Sequence, residues 1–136
     1  MSECPGRASI RFDEPVYIIE SASVVGKKEG EGPLGLLFDV VGEDDLFGCE
    51  TWEEAESCLQ KDAVNLAMQK AGVNPTDIRW MFAGDLLGQS IASSFGLAGY
   101  QIPLLGVYGA CSTCGEALAL GAMSIAGKFA EKVVCV

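Results

Sequence analysis

Cys111 is the residue best placed for chemistry. It follows an apolar run at 104–108 and precedes a helix expected over 116–127, within Gly109-Ala-Cys-Ser-Thr-Cys-Gly115. At the opening of a helix, the first-turn amides and the dipole favour a thiolate. Gly109, Ala110 and Gly115 are small, so the backbone can turn sharply and a ligand can approach. The competing reading is a small core cysteine packed at a tight crossing. Cys111 and Cys114 also form C-x-x-C, which in a βαβ setting suggests a thioredoxin-like dithiol. Without a second pair or a histidine the motif is weak for zinc, and no metal site is expected. Its place after a third strand, on an apolar helix, argues against thioredoxin.

Asp85 ends a strand expected over 78–83. In open parallel sheets the carboxyl ends of strands face the ligand crevice. Asp85 and Cys111 therefore end two strands on one edge and are candidates for one pocket. The alternative for Asp85 is a capping carboxylate on the next helix. Gln89 and Ser112 are polar neighbours supported by position alone. The glycines at 26–35 match neither the P-loop nor the dinucleotide fingerprint, and Lys27 and Lys28 read as a solvated loop. Cys4, Cys49, Cys58 and Cys135 have no partner spacing and read as inert.

Composition narrows the classes. The chain has 136 residues and a formal charge of −10, from 9 basic and 19 acidic side chains. A free-standing nucleic-acid binder is expected to be basic, so that class is disfavoured. There is no histidine, which excludes a Ser-His or Cys-His pair within these residues. Six cysteines are too sparse for a disulfide scaffold. No basic stretch leads into an apolar run at the start, so no secretory signal is expected and the thiols read as reduced. Residues 86–115 carry no charge over thirty positions, long enough to cross a bilayer. Their glycines, serines, glutamines and Pro103 suit interior α/β segments better.

The elements that must position these residues follow from patterning. A first strand is expected at 16–22, then a glycine-rich loop at 25–35. Thr51 and Glu54 form a capping box. Trp52, Ala55, Leu59, Ala63, Leu66 and Ala67 then repeat at helical spacing, with a stop at Gly72. A strand at 78–83, a short helix at 90–97, a strand at 104–108, the helix at 116–127 and a strand at 132–136 complete a βαβαβαβ order. That order means a mostly parallel sheet covered by helices. The last helix is apolar on every side, which predicts burial all round, between two sheets or under a partner domain. The chain stops within a strand, so residues 12–136 are read as the first half of a longer protein, after a tail at 1–11.

At Gly109-Ala-Cys-Ser-Thr-Cys-Gly-Glu-Ala-Leu-Ala-Leu-Gly121 the sequence resembles the thiolase superfamily. Together with Gly32-Pro-Leu-Gly-Leu-Leu-Phe-Asp39 and Phe82-Ala-Gly-Asp-Leu-Leu-Gly-Gln89, the match narrows to the sporulation branch of that superfamily, the AD type of stage V protein. The resemblance implies an α/β thiolase-like fold of two halves, with a buried central helix headed by Cys111. It implies a non-enzymatic protein that binds dipicolinic acid, with calcium accompanying the ligand and no other cofactor. Cys111, Asp85 and Ser112 would line the pocket. The implied partners are stage V membrane proteins of the same operon, at the inner membrane of the forespore and spore, and a homodimer is among the assemblies allowed. The alternative is an acyl transferase with Cys111 as nucleophile, which needs a base from outside these residues. Cys114 departs from the small hydroxyl residue expected there, which leaves a redox variation open.

Overall fold

The computed structural model describes residues 3–136. Two short strands come first: β1 (Val24–Val25) and β2 (Val40–Val41) pair in parallel, Val24 with Val40 and Val25 with Val41. Between them lie a single helical turn, α1 (Lys27–Gly30), and a 3-10 turn at Gly35–Leu37. The glycines in this loop fold the chain against itself. A side chain at Gly35 would run into the Gly30 carbonyl, and one at Gly30 into Val41.

The long helix α2 (Trp52–Ala71) begins at the expected cap. The Glu54 amide donates to Thr51 Oγ1 at 3.2 Å, and the Thr51 amide donates to the Glu54 carboxylate at 3.3 Å. It stops at Gly72, whose φ of 65° is the left-handed geometry glycine allows. The main sheet follows, with β3 (Trp80–Ala83) central between β4 (Leu104–Gly106) and β5 (Val133–Cys135), all parallel. A central parallel strand is covered on both faces and reads as a continuous apolar run, as Trp-Met-Phe-Ala does. Side chains alternate along it. Met81 and Ala83 face one way, into a core with Val64 and Met68 of α2, Ile78, and Leu97 of α3 (Ile91–Leu97). Phe82 faces the other way, toward α4 (Thr113–Ala126). The result is three layers, with α2 and α3 on one face and α4 on the other.

Two expectations change. Residues 16–22 form no strand. Tyr17, Ile18 and Ile19 are exposed, Ile18 at 74%, because no neighbouring strand offers them a ladder. The pairing instead uses 24–25 with a second strand at 40–41 that periodicity did not signal. This segment is tied down by Lys70 at the end of α2, whose Nζ donates to the Ser21 carbonyl at 2.6 Å and to Asp39 at 3.0 Å. In addition, α4 is buried along one stripe, Thr113, Ala117 and Gly121, while Leu118, Leu120 and Met123 are exposed. One sheet covers one side of a helix, so burial on every side is not reached within this chain.

Of the tail expected at 1–11, residues 3–11 fold back, with Glu3 and Arg11 exchanging two backbone hydrogen bonds of 2.8 and 2.9 Å; residues 1 and 2 lie outside the described residues. The uncharged run at 86–115 is divided among α3, β4 and the head of α4. Among the described residues, no helix is long and apolar enough to cross a membrane.

Candidate functional site at the carboxyl edge of the sheet

The ends of β3 and β4 bring the candidate residues to one edge. Ladder pairing runs one residue past β4, where the Val107 amide donates to the Ala83 carbonyl at 2.9 Å. Gly84 then packs where no side chain fits. A Cβ there would collide with the Val107 carbonyl and lie 2.5 Å from Thr113 Cγ2. The end of β3 thus rests directly on the head of α4.

Cys111 sits in a 3-10 turn, Ala110–Ser112, that runs into α4. The turn is closed by its own atoms. The Ser112 hydroxyl lies 2.7 Å from the Gly109 carbonyl and 2.5 Å from the Glu116 carboxylate, and the Gly109 amide donates to Thr113 Oγ1 at 3.1 Å. A side chain at Gly109 would strike Glu116 and Ser112. Ala110 holds φ of 51°, uncommon for a residue with a Cβ. This tight turn carries Cys111 at the head of a 14-residue helix. Both Cys111 and Cys114 are exposed free thiols.

Asp85 shares this edge, but its carboxylate turns inward. It is 3% exposed. Oδ1 accepts from the Gly88 amide at 3.1 Å and the Ser90 amide at 2.9 Å; Oδ2 accepts from the Ser93 amide at 2.9 Å and its hydroxyl at 2.7 Å. Burial pushes the carboxyl pKa up. The bonds from Ser93, Ser90 and Gly88 push it down and prevail, so it lies below the usual carboxylate value. Asp85 is thus an ionised anchor for the 86–90 turn and the start of α3, which is the capping arrangement. Above it, Gln89 and Ser90 both hold positive φ, 53° and 77°. Gln89 is exposed, and the would-be Cβ of Gly106 lies 3.4 Å from Ser90 Oγ.

Gln60, which periodicity did not single out, completes the anchor. From α2 its Nε2 donates to the Gly84 carbonyl at 3.1 Å and to Ser93 Oγ at 3.2 Å. The pattern held no signal for this long-range contact beyond a polar residue on an apolar helix face. The structure also brings Cys49 and Cys58 together, their sulfurs 3.4 Å apart, although their spacing matches no motif. Cys135 is half-buried, its Sγ 3.2 Å from the Ala117 carbonyl, and burial pushes its thiol up to about 11. Cys4 is exposed, as are Lys27 and Lys28 on α1.

Two cavities lie elsewhere. One of about 440 Å³ opens at the amino edge of the sheet, lined by Ile78, Arg79, Pro103 and Glu131 among others. The other, of about 200 Å³, lies between 12–16 and the end of α4. Neither is lined by Asp85, Cys111 or Ser112. The carboxyl edge presents an exposed thiol, a helix head and a loop fastened from below, a shelf on which Cys111 is accessible.

The model of the family described as stage V sporulation protein AD matches residues 6–136. The stage V sporulation protein AD of Bacillus subtilis (strain 168) is 36% identical over 129 residues, which cover 95% of this chain and 38% of that protein. The chain thus spans well under half the length of this curated relative.

Proposed function

The chain belongs to the stage V sporulation protein AD family, and from that premise we propose that it contributes part of a binding site for dipicolinic acid at the shelf around Cys111. Family membership ties the chain to sporulation. The finer reading is uptake of the ligand into the spore and its later release, in company with stage V membrane proteins at the spore inner membrane, approached peripherally. The observation that carries it is the head of α4. First-turn amides and the positive end of a helix dipole suit a carboxylate, and the exposed Cys111 marks where the ligand would lie. Ser112 flanks it, while Asp85 acts from below by fixing the 86–90 turn.

Charge decides the form of the ligand. A chain at −10 repels a dianion, and Glu116 adds a carboxylate beside Ser112. The calcium complex, in which the charge is neutralised, avoids that repulsion. The remaining pocket walls are assigned to regions of the longer family members that these 136 residues do not match.

A second reading rests on the same exposed thiol: Cys111 attacks an acyl thioester, and the helix amides stabilise the oxyanion. With no histidine among the 136 residues, no imidazole here can take the thiol proton, so binding is the better supported reading.

Calorimetry of the chain with calcium dipicolinate tests the proposal. Cys111→Ala should keep the parent's circular dichroism and lose affinity several-fold; unchanged affinity removes the shelf as the site. Mass spectrometry after incubation with an acyl-CoA separates the second reading, which requires a covalent acyl adduct on Cys111 with turnover.

A further inference from the structure

Two thiols outside the shelf meet across elements. Cys49 lies in the turn before α2, and Cys58 lies two helical turns into it. Their sulfurs are 3.4 Å apart and both residues are half-buried. The turn is held in place from both sides. Asp44 Oδ1 accepts from the Leu46 and Gly48 amides at 2.7 and 3.4 Å, and the Glu54 carboxylate accepts from the Glu50 and Thr51 amides at 3.2 and 3.3 Å. Phe47 and Gly48 hold φ of 52° and 72° in succession, which turns Cys49 back toward the helix. A disulfide bond is ~2.05 Å long, so the sulfurs need to close by a little over an ångström. Cys49 is on an irregular segment, where such a shift breaks no helix or sheet hydrogen bond.

We propose that Cys49 and Cys58 form a reversible dithiol–disulfide site, oxidised by a low-molecular-weight disulfide, that fastens segment 42–50 to α2. The Cys58 sulfur beside it, burial, and the nearby Glu54 and Asp44 push the Cys49 thiol up to about 11. One cysteine of the pair, its proton lost to solvent, attacks one sulfur of the small disulfide; a mixed disulfide forms and one small thiolate leaves. The other cysteine then gives up its proton and attacks the protein sulfur of that mixed disulfide. The mixed disulfide breaks and the second small thiol departs. The protein loses two protons and two electrons, and one small disulfide takes them up to become two small thiols. Excess small thiol reverses both steps. The same early turns of α2 support the shelf, through Glu56 to the Leu86 amide and Ser57 to the Ala92 carbonyl, so the lock acts on the helix from which the Asp85 anchor hangs.

The test equilibrates the chain in mixtures of oxidised and reduced glutathione, traps free thiols with N-ethylmaleimide, and maps tryptic peptides by mass spectrometry. Cleavage after Lys28 and Lys61 gives a peptide, 29–61, with these two cysteines alone, and Cys111 and Cys114 fall together in 80–128. The expected result is a 29–61 peptide two hydrogens lighter and unalkylated, reversed by reduced glutathione, and formed faster in the folded chain than in urea. Cys58→Ser should abolish the mass change and leave Cys49 alkylated. The proposal is overturned if Cys49 and Cys58 stay alkylatable at saturating oxidant, if they carry only mixed glutathione adducts, or if urea does not slow the pairing.

Discussion

Asp85 and Ser93 form a two-point joint: one carboxylate oxygen accepts both the amide and the hydroxyl of the same residue, at 2.9 and 2.7 Å. The joint lies under the shelf and carries the turn between β3 and α3.

Removing it should be felt as stability. Asp85→Ala strips four donors of a buried acceptor, and hydrogen bonds to charged groups contribute ~1.5–3 kcal/mol each, with heavy overlap among neighbours. A loss of about 2–4 kcal/mol in urea unfolding is expected. The pH dependence has a definite sign. Because the folded carboxyl ionises below its unfolded value of 3.8, its stabilisation is complete above that value and is lost as pH falls through the folded value. Melting curves of the parent should therefore drop below about pH 4, and those of Asp85→Asn should drop less steeply. Parallel curves for the two proteins would remove Asp85 as an ionised anchor.

Gly121 faces the sheet with no room to spare. A Cβ there would lie 2.7 Å from Cys135 Sγ and 3.1 Å from Val133 Cγ2. Gly121→Leu should destabilise by about 1–3 kcal/mol or more through overpacking, read as a lower urea midpoint. A variant that melts with the parent would mean that α4 does not lie on β5.

Ala110 holds a left-handed backbone at φ of 51°, a conformation that costs an L-residue roughly 1–2 kcal/mol. Ala110→Gly relieves that cost and gives part back as unfolded-chain entropy. A net gain of ~0.5–1 kcal/mol in thermal or urea unfolding is expected. A loss instead would show that the methyl group contributes packing that outweighs the strain.

Local chemistry carried most of the legible structure. Thr51 with Glu54, Gly72, and the apolar runs at 78–83, 104–108 and 132–136 announce helix ends and strands through contacts within a few residues. The edge shared by Asp85 and Cys111 also followed, because parallel strands connected by helices end on one side. What escaped depends on distant partners. Ile18 and Ile19 have strand-like composition, yet a strand needs a neighbour, and composition does not name one. Gln60 meets Gly84 and Ser93 only after α2 has docked, and Cys49 meets Cys58 only because positive φ at Phe47 and Gly48 bends the chain back on the helix. The inward turn of the Asp85 carboxylate was one of two readings that position alone could not separate; four nearby donors decided it.

Gly84 brings no functional group to the shelf, yet it sets how close the tip of β3 comes to the head of α4. A catalogue of reactive side chains would pass over it. Even alanine there would wedge the two apart, shifting the thiol and the helix head together. The geometry of the carboxyl edge therefore hangs on a position where mutation has no permissible step, and variants engineered around Cys111 inherit that constraint without touching it.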